Sequence, residues 1–320
     1  MAISGLFVWL VIRSVDAGAA FDELTQATTS YYIPAAVILM MGIWIRAIRW
    51  KILLTPLGNV KIGTAFAALT IGYLANNALP ARLGEFVRVY VLNRDTKMAS
   101  PAILGTIILE RIFDVLTLMI LLSLAALASG WRSPWNVPLA GLAVGAIAAF
   151  VMMYLVVSGL IRSSTPIISN LVRILERPLG GGIPRLVSLL TQGFTSVRSR
   201  RSLFTIVVLS AASWLIESAV YFLVLLAFDI DEGSYWLAIV VASIANLSGL
   251  IPAGPGNIGT FEFFAKEAAM LAGIDEEKAL AFAIAVHFVV LMPPTVIGVL
   301  FTWRRAVTGT IRFRNRVNSE

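Results

Sequence analysis

An all-α, polytopic integral membrane protein is the fold class that three features of the sequence predict. First, the 320 residues are 58% hydrophobic and 13% charged, with a mean hydropathy of +0.87, whereas soluble domains carry roughly a quarter charged residues. Second, the apolar residues gather into runs of helical length separated by short polar connections. Third, two runs are broken by Pro and Gly at similar places between longer, uninterrupted ones. A helix rising about 1.5 Å per residue needs about 20 apolar residues to cross the hydrocarbon core. The chain therefore has room for about eight spans, as a single transmembrane domain over 1–320, and none for a separate soluble catalytic domain. There is no cysteine and one histidine, His287, which excludes disulfides, thiolate catalysis and Cys- or His-rich metal sites. Neither a metal nor a cofactor is expected.

Residues 1–30 hold a short apolar run, Ile3 to Ile12, and an outer loop with Asp16, Asp22 and Glu23. No charged residue precedes the run and Arg13 follows it, which suits a tilted or incomplete first span better than a signal peptide. A first repeat covers 31–130: the long run Tyr31 to Leu54, a broken stretch between Lys61 and Lys97, and the long run Ile103 to Leu127. Residues 131–202 supply a linking span, Val137 to Ile161, and a region in which Ile167, Leu171 and Leu175, then Leu186, Leu190 and Phe194, have helical spacing beside arginines. Such helices lie on an anionic leaflet or pack beneath the bundle. A second repeat covers 203–303: Leu203 to Phe228, a broken stretch from Tyr235 to Leu271, and Ala279 to Trp303, where Pro293-Pro294 predicts a kink. Residues 304–320 form a basic tail.

The net charge of +7 reads as topology before it reads as a nucleic-acid footprint, because Lys and Arg collect in cytoplasmic connections. Arg46, Arg49, Lys51 and Lys61 mark one such connection, and Arg82, Arg88, Arg94 and Lys97 another. Both termini are expected on the same cytoplasmic side. The acidic connections around Asp16, Asp229 and Asp275 then face outward. Lys61 to Lys97 starts and ends inside and is too short for two crossings and a turn, so it predicts a re-entrant hairpin. Asp231 to Asp275 starts and ends outside, as a second hairpin or as two near-full crossings. Trp44, Trp50, Trp131, Trp135, Trp236 and Trp303 fall near run ends, as interfacial anchors do.

The two broken stretches resemble each other. Ala75-Asn76-Asn77 precedes Leu79-Pro80-Ala81 and Gly84-Glu85-Phe86; Ala245-Asn246 precedes Ile251-Pro252-Ala253 and Gly259-Thr260-Phe261-Glu262. With opposite orientations from the charge pattern, this is an inverted repeat of helix, broken hairpin and helix, and paired breaks of that kind mark transporter binding sites near the bilayer midplane.

Charged residues at depth cost several kcal/mol unless paired or hydrated. Glu110, Arg111 and Asp114 lie two turns into one long helix, where Arg111 and Asp114 form either a structural ion pair or a functional one. Glu217 sits in the middle of another with no cation within a turn; Arg82, Arg88 and Arg111 are its candidate partners. Arg82 and Arg88, with Glu85 between them, either snorkel to headgroups or form a fork for a phosphate. The nest from Pro252 to Gly259, with Gly254, Gly256 and Asn257, exposes backbone N–H groups to an anion ahead of a new helix, beside Glu262 and Lys266. His287 is a proton relay or a packed polar residue.

The runs Asn77 to Arg88, Glu110-Arg111-Ile112-Phe113-Asp114 and Pro255 to Glu262 resemble the lysylphosphatidylglycerol synthase transmembrane domain family, over nearly the whole chain. That family includes the flippase half of bacterial multiple peptide resistance factors and the membrane half of an archaeal dolichol-linked glycosyltransferase. The resemblance implies movement of an aminoacylated or glycosylated phospholipid, or of a polyprenyl phosphate, between leaflets. It also implies that Arg82, Glu85, Arg88, Glu110, Arg111, Asp114 and Glu262 occupy the family's polar motif positions. Nothing follows Glu320, so synthesis of the lipid is not expected, and His287 stands where relatives often carry Arg. No Gly-x-x-x-x-Gly-Lys-Ser/Thr motif is present to drive transport by ATP. The expectation is a lipid flippase or scramblase of the cell membrane, not an enzyme, whose substrate meets Asn76, Asn77, Asn246 and the charged residues above. An ion-coupled carrier of a small soluble solute is the alternative, and an intramembrane transferase with Glu85 or Glu262 as base a third reading. Partners expected are the lipid substrate, anionic inner-leaflet lipids, and a second copy or a separate lipid-modifying enzyme, with no nucleic acid.

Overall fold

The computed structural model describes residues 2–128, 141, 142, 144–149, 192, 193, 199–230 and 235–317. Among them every regular element is a helix. Residues Ala2–Ser14 (α1) and Ala17–Gln26 (α2) form a pair bent by 86°. Asp16 causes the restart: its side chain accepts the Gly18 and Ala19 N–H groups at 2.8 and 3.3 Å, so it caps α2. The long helix Tyr32–Leu54 (α3) follows a 3₁₀ turn and has Pro34 in its first turn, where no N–H is needed.

The first broken stretch is two helices, Ile62–Ala78 (α4) and Gly84–Thr96 (α5), packed on each other. Pro80 cannot continue α4. Lys97, left-handed at φ 61°, closes α5 by donating its N–H to Asn93 O at 2.7 Å. Helix Ser100–Ala128 (α6) comes next. Arg200–Ala227 (α7) is capped by Ser199. The second broken stretch comprises Tyr235–Leu247 (α8), 3₁₀ turns at Ser248–Leu250 and Pro255–Asn257, and Thr260–Met270 (α9). Glu262 starts α9 by accepting the Gly259 N–H at 2.7 Å. The last helix, Glu276–Val317 (α10), runs unbroken through Pro293 and Pro294.

Three helical segments, Thr29–Leu57, Arg200–Ala227 and Glu276–Thr308, are long and apolar enough to cross a membrane. At 29 residues α6 has the length as well, and carries Glu110, Arg111 and Asp114 in its first half. The expected span Val137 to Ile161 and the arginine-flanked region after it fall almost wholly outside the described residues, and Trp131 and Trp135 do so entirely. The order long helix, broken pair, long helix occurs twice, at α3–α6 and α7–α10. Beyond Trp303, α10 continues as helix to Val317.

Among the described residues, the two larger apolar cores hold most of the bundle. One joins Leu39 and Ile43 of α3, Val220 and Val224 of α7, Val241 of α8, Ala265 of α9 and Phe282 and Val286 of α10. The other joins Trp50 and Leu53 of α3, Ala65 and Ala68 of α4, Leu92 of α5, Ile107 and Phe113 of α6 and Ile206 of α7. Outside them, Ile33, Val37 and Met41 of α3 and Phe288, Met292, Val296 and Val299 of α10 are exposed at helical spacing, as lipid-facing stripes are. Trp44, Trp236 and Trp303 are exposed as anchors should be. Trp50 is not: it is buried in the second core and donates to Thr106 Oγ1 at 3.0 Å. Nearness to the run's end misled here because that end of α3 is packed against α6.

Small residues let α4 and α5 approach. A Cβ on Gly84 would collide with the Gly72 carbonyl oxygen and with Asn76. Gly84→Ala is therefore expected to destabilise the protein by about 1–3 kcal/mol, as overpacking does, seen as a lower melting temperature in detergent. An unchanged melting temperature would mean that α4 and α5 are not in this contact.

Candidate functional site

Where the two cores meet, a layer of charge crosses the bundle. Arg49 of α3, fully buried, reaches Asp114 at 2.6 Å and Ser210 Oγ at 2.7 Å, and lies 3.7 Å from Glu110. Arg88 of α5 pairs with both Glu110 oxygens, at 3.0 and 2.8 Å, and its guanidinium lies 3.5 Å from the centre of the Trp50 ring. Such a two-point pair is geometrically specific as well as strong. Arg111 of α6 binds Glu85 at 3.2 Å, Glu110 at 3.4 Å and Asp114 at 3.5 Å. Arg46 of α3 binds Glu217 of α7 at 2.6 Å and stacks on Trp214, whose Nε1 donates to Asp114 at 3.1 Å.

Three sequence expectations change. Arg46 and Arg49 are not loop charges at the cytoplasmic end of a span; they are interior residues on the face of α3 that meets α6 and α7. The partner of Glu217 is Arg46, not Arg82, Arg88 or Arg111, because α3 and α7 pack along much of their length. Lys266 does not serve the Pro252 to Gly259 nest; it is buried and turned to Glu267 and Glu276, at 3.1 and 2.5 Å.

Beside the charge layer lies a cavity of about 160 Å³, several times the roughly 30 Å³ share of one water. Asn76, Asn77, Arg82, Glu85, Arg111, Asp114, Glu217, Asn246, Gly254, Gly256 and Asn257 all line it. Of the residues singled out from sequence, Arg88, Glu110 and Glu262 do not. The first two hold α5 to α6 behind the wall, and Glu262 holds His287, which does line it. Arg46, Tyr73 and Trp214 are lining residues that sequence reasoning missed. The one available signal was the three-residue spacing of Arg46 and Arg49, which puts both on one face of a helix.

Both breaks meet at this cavity. Ala81 N–H donates to the Ala253 carbonyl at 3.2 Å, and Asn77 Nδ2 donates to Thr295 Oγ1 at 2.7 Å. Asn76 accepts the Gly84 N–H at 2.8 Å, and Asn246 donates to Tyr221 Oη at 3.0 Å. Ala81 and Arg82 are both left-handed, at φ 55°, a conformation costing about 1–3 kcal/mol for a residue with a side chain. That turn aims Arg82 across the seam, against Gly249 of the opposite break, where a Cβ would collide with the guanidinium. Among the described residues no carboxylate lies within 4.0 Å of Arg82. Five arginines face four carboxylates in this region, and the unmatched cation is the one at the meeting of the breaks.

A helical membrane protein with an interior charged cavity between two broken segments is the class that this fold and site define. Residues 1–298 match the family described as the lysylphosphatidylglycerol synthase TM region, and the chain belongs to that family. It is 28% identical to the glycosyltransferase AglD of Haloferax volcanii over 319 residues, 90% of this chain and 51% of that protein. The chain thus spans about half the length of AglD. Two UPF0104 membrane proteins of Methanothermobacter thermautotrophicus are 27% and 24% identical, covering 84% and 79% of this chain and 82% and 78% of theirs. No solved structure matches the chain.

Removing one partner of a buried pair leaves an uncompensated charge and costs about 3–5 kcal/mol, whereas replacing both by apolar residues is often close to neutral. Glu110→Gln should therefore lower the melting temperature in detergent more than the double variant Arg88→Met, Glu110→Met. The reverse order would show that Glu110 does not serve chiefly to hold Arg88.

Proposed function

We propose that this protein is a lipid flippase or scramblase. Its substrate is an anionic phospholipid, an aminoacylated or glycosylated one, or a polyprenyl phosphate. The observation that carries the reading is Arg82, a guanidinium that faces the cavity with no carboxylate of its own while every neighbouring arginine is paired. Guanidinium matches phosphate oxygens at two points. The lipid phosphate binds Arg82. Glu85, Asp114 and Glu217 balance Arg111 and Arg46 and accept a cationic headgroup when the lipid carries one. Leu79, Leu83, Leu250 and Ile258, exposed around the breaks, give the acyl tails an apolar exit, which favours a lipid over a soluble solute.

The family's name ties this region to lysylphosphatidylglycerol, an aminoacylated lipid, and AglD's name ties it to glycosyl transfer. In this reading the transmembrane chain moves what a separate lipid-modifying enzyme makes. The two repeats have opposite orientations and rock about the cavity, so that it opens to each leaflet in turn. The protein sits in the plasma membrane with both termini in the cytoplasm, against anionic inner-leaflet lipids.

Hydrogen bonds to charged groups contribute about 1.5–3 kcal/mol, so Arg82→Ala should slow transfer of a headgroup-labelled anionic lipid in liposomes by about tenfold or more. Arg82→Lys should recover part of the rate. Equal rates for wild type and Arg82→Ala with every anionic lipid would overturn the reading. The absence of cysteine makes topology directly testable. Impermeant thiol reagents should label Asn59→Cys and Asp275→Cys from opposite sides, and labelling from one side would remove the inverted repeat.

A further inference from the structure

Both nitrogens of the His287 ring face acceptors. Nδ1 lies 2.6 Å from Glu262 Oε1, and Nε2 lies 2.9 Å from the Gly256 carbonyl oxygen. A neutral imidazole carries one N–H, while a carboxylate and a carbonyl carry none. Two contacts this short require two protons among the three groups. Either His287 is an imidazolium beside a carboxylate, or Glu262 is a carboxylic acid donating to a neutral ring. Both arrangements hold the same extra proton and carry no net charge. We propose that Glu262 and His287 form a binding site for one proton, and that its occupancy couples lipid movement to a proton gradient. The coupling rests on the transport reading above; the proton site does not.

The proton has a route and a consequence. His287 lines the cavity, so the proton leaves the pair for cavity water and returns from it. Its loss sets acceptor against acceptor at one of the two ring contacts. Those contacts secure a segment that is conformationally costly, with Gly256, Asn257 and Gly259 left-handed at φ 63°, 58° and 89°. His287 holds the Gly256 carbonyl, and the second Glu262 oxygen holds the Gly259 N–H at 2.7 Å. Phe261, stacked on the imidazole with ring centres 4.1 Å apart, fixes the ring's plane. One proton therefore ties the second break to α10 at both ends.

Other charges around α10 are placed differently. Its neighbour α4 has no charged side chain. Arg46 of α3 and Glu217 of α7 are paired with each other, and Arg49 and Lys51 of α3 lie further along that helix. Lys266 of α9 pairs with Glu267 and with Glu276 of α10, α2 contributes Asp22 and Glu23, and α10 itself also has Glu277, Lys278, Arg304 and Arg305. Arg82, Glu85, Arg111 and Asp114 share the cavity. Among the described residues Glu262 alone pairs with His287.

Because the chain has a single histidine, ¹⁵N-histidine labelling of protein purified through a histidine-free tag reports this imidazole without assignment. The expected result is one pH-dependent step in the nitrogen shifts, as loss of the shared proton leaves a neutral ring with its N–H toward either Glu262 or the Gly256 carbonyl. Nitrogen shifts that stay constant over the pH range of the folded protein overturn the site. In phosphatidylcholine liposomes with headgroup-labelled phosphatidylglycerol, the wild-type rate should change about tenfold per pH unit on its limiting limb, and that of Glu262→Gln by less than about twofold, since an amide still bonds the ring but releases no proton. A titrating ring with pH-independent transport overturns the coupling. A titrating ring with no transport of any lipid upholds the site and overturns the transport reading instead.

Discussion

A charge placed deep in a helix bundle within a membrane costs several kcal/mol unless another group answers it, and this protein places a whole layer of charges there. Arg46 and Arg49 on α3, Arg88 on α5, Glu110, Arg111 and Asp114 on α6 and Glu217 on α7 are each partnered across a helix boundary. The partners fix how those four helices stand. A register shift of one turn in α3 would strand Arg46 and Arg49 among the leucines of one core or the other. Buried ion pairs of this kind do little for net stability compared with apolar packing; their effect is on which arrangement is tolerated.

The same layer gives the cavity its character. Charge that is satisfied inside the wall leaves little field for a ligand, so Arg88 with Glu110, and Arg49 with Asp114, make the wall rigid and nearly neutral. Arg82 stands apart because the strained turn after Pro80 carries it beyond the reach of the carboxylates. Gly249 on the opposing break makes room for it. A site that presents one unmatched cation at an apolar edge is suited to a molecule that is anionic at one end and greasy at the other.

Much of this was legible in the sequence, and the failures have a common cause. Composition and run length read out the helical membrane class, and Pro80, Pro252 and the glycines beyond them marked both breaks, because proline cannot continue a helix and glycine weakens one. Eleven of the residues chosen as binding candidates do line the cavity. Arg46, Arg49 and Trp50 were misread because they fall near the end of a run, where cations and tryptophans usually mark the interface, whereas the packing of α6 and α7 on that end of α3 keeps them inside. Glu217's partner could not be found either: Arg46 is far away in sequence, and only the packing of α3 on α7 brings the two together. His287 and Glu262 stood out individually, but their contact depends on how the second break folds back on α10.

The bond from Ala81 N–H to the Ala253 carbonyl joins the two breaks through main-chain atoms alone. Drawing the halves apart breaks that bond, and the freed donor and acceptor must then be met by cavity water or by other groups. A barrier of this sort is independent of side-chain chemistry. Exchanging Ala81 for any residue but proline, or Ala253 for any residue, leaves the N–H and the carbonyl in place. A survey of side-chain replacements would therefore pass over this clasp, whereas an amide-to-ester exchange at residue 81, which removes the N–H, would reveal it.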